Sequence, residues 1–158
     1  MNLNNPLKLA ISIVLSQLAG IIGSIFTVTS ITTWYSFLNK PFFNPPSWVF
    51  GPVWITLYFL MGISFYLIWV GSADAKKKHK AMKIFGVQLF LNTLWSILFF
   101  GMHQPWLAFA EILLLLTAII LTIKTFYKIN KTAAYLLAPY LLWVSFATIL
   151  NLAIALLN

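Results

Sequence analysis

The sequence contains no cysteine and no arginine, and only two acidic residues, Asp74 and Glu111, among its 158. Without cysteine there are no disulfides and no thiolate metal sites. Charged residues make up 8% of the chain, whereas a soluble domain averages about 25%, so charge cannot cover its surface. No long hydrophilic stretch remains for a second domain, which leaves residues 1–158 as one unit. Paired carboxylates, a nucleophile elbow, a glycine-rich phosphate loop and a Cys/His cluster are all missing. A proton-driven pump would need several buried acids or histidines, and these are missing too.

What is present is apolar. Hydrophobic residues account for 61% and aromatic residues for 17%, with a mean hydropathy of +0.93. A helix crosses about 30 Å of hydrocarbon with about 20 residues. Five segments qualify, at about 7–28, 46–70, 81–101, 106–127 and 132–157. The expected fold is all-α: an integral membrane bundle of five transmembrane helices. The first span is too long for a cleaved signal peptide and lacks an obvious cleavage site after it.

The ten lysines give a net charge of +8. With five crossings, Lys8, Lys76, Lys77, Lys78, Lys80, Lys83, Lys124, Lys128 and Lys131 fall on one side and Lys40 alone on the other. Positive loops stay cytoplasmic, so the N-terminus is expected in the cytoplasm and the C-terminus outside. The short lysine runs between apolar spans read as a topology signal and an attraction to anionic lipid, not as a nucleic-acid surface.

Residues 34–54 are the densest informative stretch. They hold Trp34, Trp48 and Trp54, Tyr35, four phenylalanines, four prolines and Lys40. A connecting loop needs only polar residues; an aromatic loop stiffened by proline is expected to fold back and cap an internal cavity. Asn44 is expected to cap the second helix, with Pro45 or Pro46 in its first turn. Pro52 and Pro139, further inside, are expected to bend their helices.

Polar and aromatic residues recur at helical spacing. The second span carries Trp54, Tyr58, Met61 and Phe65; the third carries Gln88, Asn92, Trp95 and Phe99; the fifth carries Tyr140, Trp143, Ala147 and Asn151. Each set lies on one helix face. Amides do not face hydrocarbon, because unmet hydrogen bonds are costly there. Each amide is therefore either glue between helices or part of a pocket, and three such faces plus a lid favour a pocket. Trp34, Trp69 and Trp106 fit an interfacial belt. Ser12, Ser16, Gly20 and Ser24 form a small-residue face for close helix packing, within the chain or between two chains. Glu111 is the one acid inside a span. It is either a functional carboxyl or a residue reaching the interface near a helix start. His103 has no metal partners by sequence, so no metal site and no resident cofactor are expected.

The string WY-x-x-L-x-KP-x-x-x-PP-x-W-V-F-GP-V-W-x-x-LY, from Trp34 to Tyr58, resembles the tryptophan-rich sensory protein and translocator protein family (TspO/MBR), also called the peripheral benzodiazepine receptor family. Gln88, Asn92, Trp95 and Phe99-Phe100-Gly101 extend the resemblance. So do Pro139-Tyr140, Trp143, Phe146-Ala147-Thr148 and Leu150-Asn151, and it covers essentially the whole chain.

The resemblance implies a five-helix bundle, usually a homodimer, whose cavity is capped by the first loop. It implies binding of protoporphyrin IX and haem-related tetrapyrroles and of isoquinoline or benzodiazepine drugs, and a bacterial-type role in tetrapyrrole sensing, transport or light-dependent breakdown. By motif position, Trp54 and Trp143 correspond to the tryptophans tied to that photochemistry. Trp54 and Asn92 correspond to polar ligand contacts, with Tyr35, Trp95 and Ala147 lining the cavity. Trp48, Tyr58 and Gln88, on the lid and the polar faces, complete the expected ligand-binding set. Lys40 is placed either to meet a propionate or to snorkel. The animal cholesterol motif requires a tyrosine and then a basic residue after Leu150-Asn151; the chain continues Leu152-Ala153-Ile154 with neither, so cholesterol binding through that motif is not expected.

Overall fold

Local signals set most helix ends. In the computed structural model, which describes residues 4–158, Asn4 caps α1 (Asn5–Ile31), its side-chain oxygen accepting from the Leu7 N–H at 3.0 Å, with proline in the first turn. A single turn, α2 (Trp34–Phe37), and a 3₁₀ turn at Ser47–Val49 lead into α3 (Phe50–Val70). Asp74 caps α4 (Ala75–Ser96) by accepting from the N–H groups of Lys76 and Lys77, and α4 runs on into a π turn, Ile97–Gly101. Next comes α5 (Pro105–Tyr127). Asn130 caps the short α6 (Lys131–Tyr135), and α7 (Ala138–Leu157) follows.

No strand occurs among the described residues. Five stretches are long and apolar enough to cross a membrane: Asn5–Ile31, Ser47–Val70, Ala75–Gly101, Pro105–Tyr127 and Lys131–Leu157. The third begins earlier than its hydropathy suggests, because Asp74 caps it and draws the lysine run into the helix.

Two expectations about helix starts are corrected. Asn44 does not cap α3: its side-chain oxygen accepts from the Tyr35 hydroxyl at 2.7 Å and its amide nitrogen donates to the Pro45 carbonyl. The span therefore starts later, after Pro45 and Pro46, and Pro52 falls in the first turn of α3, where a missing N–H costs nothing. Pro139 behaves differently. Leu136 and Leu137 form a turn between α6 and α7 with backbone angles still in the helical region, and Pro139 occupies the first turn of α7, so the irregularity precedes the proline while the span runs on from Lys131 to Leu157.

The bundle is apolar on its outside as well as its inside. Val28, Leu142 and Phe90 are 68%, 71% and 66% exposed, as expected where lipid is the solvent. Helix α1 packs on α3 and α4, while α5 packs on α4 and α7. Small residues make the closest approach possible: a Cβ on Gly62 of α3 would lie 2.7 Å from the Ile13 Cα of α1. The small-residue face of α1 is used in the same way, with Ser12 and Ser16 fully buried and Gly20 lying under the Tyr58 ring.

Candidate functional site

The lid is built from local bonds. Tyr35 is buried beneath it and tied to Asn44, and the Lys40 ammonium sits 4.9 Å from the centre of the Tyr35 ring. The same ammonium donates to the carbonyls of Ser36 (3.2 Å) and Leu38 (3.1 Å), so Lys40 is occupied in holding the loop. Burial pushes the Tyr35 phenol up to about 12, against the opposing effect of its bond to Asn44. The lid is also clasped to the last helix. Asn158 accepts from the Asn39 N–H at 2.9 Å through its side-chain oxygen and donates to the Asn39 carbonyl at 3.0 Å through its side-chain nitrogen. Phe43 packs edge-on against Phe146, with ring centres 6.3 Å apart.

Beneath the lid lies a cavity of about 490 Å³ bounded by α1, α3, the end of α4 and α7. Of the ligand-binding set expected from the sequence, Tyr35, Trp48, Trp54, Tyr58, Trp95, Trp143 and Ala147 line it. Trp54 stacks on Tyr58 at 5.5 Å and meets Tyr140 edge-on, Trp95 stacks on Phe99 at 5.1 Å, and Trp143 meets Phe50 edge-on. Residues adjacent in the lining are thus drawn from helices far apart in sequence. Glycines and small hydroxyl residues on α1, among them Gly20, Gly23 and Ser24, leave the space that the rings enclose.

Gln88, Asn92 and Lys40 are not among the lining residues. Asn92 is buried behind the wall, where it accepts from the Tyr58 hydroxyl and donates to the Tyr140 hydroxyl at 3.0 Å; Tyr140 in turn donates to the side-chain oxygen of Gln88 at 3.0 Å. This chain fixes the Tyr58 ring, and through it the plane on which Trp54 stacks. A second bond set fixes Trp95: its indole N–H donates to Asn151 at 2.9 Å, and Asn151 donates to the Pro105 carbonyl at 2.8 Å. The amide faces act first as supports for aromatic rings.

Glu111 is buried away from the cavity, and neither carboxyl oxygen has a hydrogen-bond partner among the described residues. His103 stacks on Trp34 at 4.4 Å and its Nε2 lies 3.3 Å from the Ser30 hydroxyl, which itself donates to the Phe100 carbonyl. No group of three or more metal-ligating side chains gathers among the described residues.

Sequence reasoning missed the contribution of α1. Gln17 lines the cavity, and its spacing to Gly20 and Ser24 places all three on one face, a signal that was available. It also missed the π turn that brings both Phe99 and Phe100 into the interior.

A model of the TspO/MBR family matches residues 12–157. The chain is 49% identical to a tryptophan-rich protein TspO of Archaeoglobus fulgidus, over 98% of this chain and 99% of that protein. It is 40% identical to the translocator protein of Homo sapiens, over 82% and 78% of the two chains. To the tryptophan-rich sensory protein of Cereibacter sphaeroides it is 37% identical, over 79% and 77%.

Proposed function

Because the chain belongs to the TspO/MBR family and is an integral multi-pass membrane protein, we propose that it binds tetrapyrroles of the protoporphyrin IX and haem class as a sensor or translocator. The observation that carries this reading is the capped cavity of about 490 Å³, walled by Trp54, Tyr58, Trp95 and Trp143. Its size lies within the usual range for small-molecule sites, about 300–1,000 Å³. A porphyrin is a flat apolar plate with carboxylates at one edge. Aromatic faces suit the plate, each such contact adding about 0.5–1.5 kcal/mol beyond area burial. Flat isoquinoline and benzodiazepine drugs fit the same description.

The nine-to-one division of lysines supports a cytoplasmic N-terminus and an external lid and C-terminus. A reporter fused to the C-terminus is expected to be active outside the cytoplasm; activity inside would reverse the orientation. The family resemblance also supports a homodimer.

A second reading, light-dependent breakdown of protoporphyrin, is favoured by one observation: Trp54 and Trp143 both line the cavity. An indole beside an excited porphyrin can give up an electron or trap reactive oxygen without an acid, base or metal. The remaining alternative is a transporter of lipid or other small molecules, or a structural membrane protein, with no porphyrin role.

A titration of purified protein with protoporphyrin IX separates these readings. Saturable quenching of tryptophan emission in darkness is expected; its absence would leave only the alternative. Loss of the porphyrin spectrum under light would add the photochemical activity. Trp54→Phe and Trp143→Phe are then expected to bind within several-fold of the parent and to lose most of the light-driven loss. Degradation at the parental rate in both variants would remove these tryptophans from the chemistry.

A further inference from the structure

The polar atoms around the cavity divide into engaged and free. The hydroxyls of Tyr35 and Tyr58 are bound to Asn44 and Asn92, and the Trp95 indole to Asn151. The hydroxyls of Ser24 and Thr27 turn back to carbonyls of their own helix. The hydroxyls of Ser47 and Ser96 and the indole N–H groups of Trp54 and Trp143 also line the cavity and have no partner among the described residues. Gln17 differs in that one end of its amide is anchored and the other is free. It lies on α1, one turn before Gly20, and is the first residue of that helix to line the cavity, whereas the lid follows the helix's other end. Its Nε2 donates to the Ile55 carbonyl of α3 at 3.1 Å. A carbonyl only accepts, so the nitrogen must face Ile55 and the orientation of the amide is settled. Its Oε1 is left without a donor among the described residues, in a lining that is mostly apolar.

We propose that Gln17 is a specificity-determining residue: its Oε1 accepts a hydrogen bond from an N–H or O–H group on the leading edge of a flat aromatic ligand. The inference rests on the cavity being the site of such ligands and adds which end of the ligand is read. A ligand that fills the floor displaces any water from Oε1. If it carries a donor, the bond is replaced; if it carries none, the acceptor is stranded in apolar surroundings. The penalty for a stranded acceptor corresponds to a preference of roughly five- to a hundredfold for the donor-bearing ligand.

The test uses two probes of one skeleton, an isoquinoline carboxamide with a secondary amide N–H and its N-methylated counterpart. Both are titrated into the parent protein and into Gln17→Met, which keeps length and apolar volume. The parent is expected to prefer the N–H probe, and Gln17→Met to lose that preference while still binding the N-methyl probe. Losing the bond to Ile55 also loosens the contact between α1 and α3. That effect weakens both probes alike and cancels in the ratio, as do the conformational preferences of the probes themselves. An equal preference in parent and variant, or none in the parent, overturns the inference and leaves the proposed function standing. If the parent binds neither probe nor protoporphyrin IX, the functional reading falls and the inference falls with it.

Discussion

The two halves of the bundle are built differently. At the lysine-rich end, Phe65, Phe85 and Phe126 pack ring against ring, with centres 4.8 and 5.9 Å apart, and Ile68, Ala81 and Ala133 fill the gaps with no exposure at all. The Ser64 hydroxyl binds the Ala133 carbonyl at 2.6 Å and closes α3 onto α6. At the lid end, aromatic residues are just as dense but enclose space. The difference lies in residue type. The solid half uses phenylalanine and aliphatic side chains, which need only contact. The hollow half adds tryptophan and tyrosine to phenylalanine, and three of these rings, Tyr35, Tyr58 and Trp95, are tethered by Asn44, Asn92 and Asn151. A tethered ring holds its place without a neighbour on its open face, so the cavity persists instead of collapsing.

This contrast is open to direct attack. The largest effect is expected from Phe85→Ala in the solid half, which should lower stability by about 3–5 kcal/mol and so abolish binding only indirectly. Thermal unfolding in detergent measures it, and a melting temperature equal to the parent's would contradict a tightly packed inner half. In the hollow half, Gly20→Ala places a Cβ 2.4 Å from the Tyr58 ring. The ring must move, at an overpacking cost of about 1–3 kcal/mol, and protoporphyrin affinity should fall more than stability does. Equal losses of the two would show that the halves are not energetically distinct.

Smaller effects are expected at the lid. Asn158→Ala removes both bonds to the Asn39 backbone. Each is worth about 0.5–1.5 kcal/mol at most, so ligand release should quicken by several-fold with little change in melting temperature. Stopped-flow release that matches the parent would mean the clasp does not hold the lid. The smallest effect concerns pH. The Tyr35 phenol lies above its ordinary 10.0, at about 12. Its contribution to lid order is therefore complete below pH 10 and is lost as pH rises through the folded value. Parent and Tyr35→Phe should differ most in lid protection by hydrogen exchange below pH 10 and converge as the pH rises to about 12; a difference that grows with pH would reverse the sign.

The solid half was more legible in the sequence than the hollow one. Span lengths follow from hydropathy, and the buried faces of Tyr58, Met61 and Phe65, or Gln88 and Asn92, follow from helical period. The aromatic and proline content of residues 34–54 announced a folded loop. What could not be read was pairing. Nothing local says that Asn44 would bind Tyr35 instead of capping α3, and the register of Pro52 depends on that choice. Nor does the spacing of Asn92 reveal that Tyr58 and Tyr140 occupy it from either side, which places it behind the cavity wall. An amide advertises that it will be satisfied, not by whom. Gln17 was legible only through its spacing to Gly20 and Ser24, because a single amide on a long apolar helix has no period of its own.

The π turn at Ile97–Gly101 has a consequence for the length of the chain. A turn closed by i→i+5 bonds accommodates one residue more than an α turn, so the third span contains a residue its path does not require. Elsewhere in the five spans, removing one residue would rotate everything beyond it by about 100° and turn buried faces to lipid. Here the deletion would tighten the π turn into an α turn, and the change of register would be confined to the residues of that turn, Phe99 and Phe100 among them, and the short connection through His103 to Pro105. The end of the third span is thus a place where a shorter version of this chain could keep all five crossings.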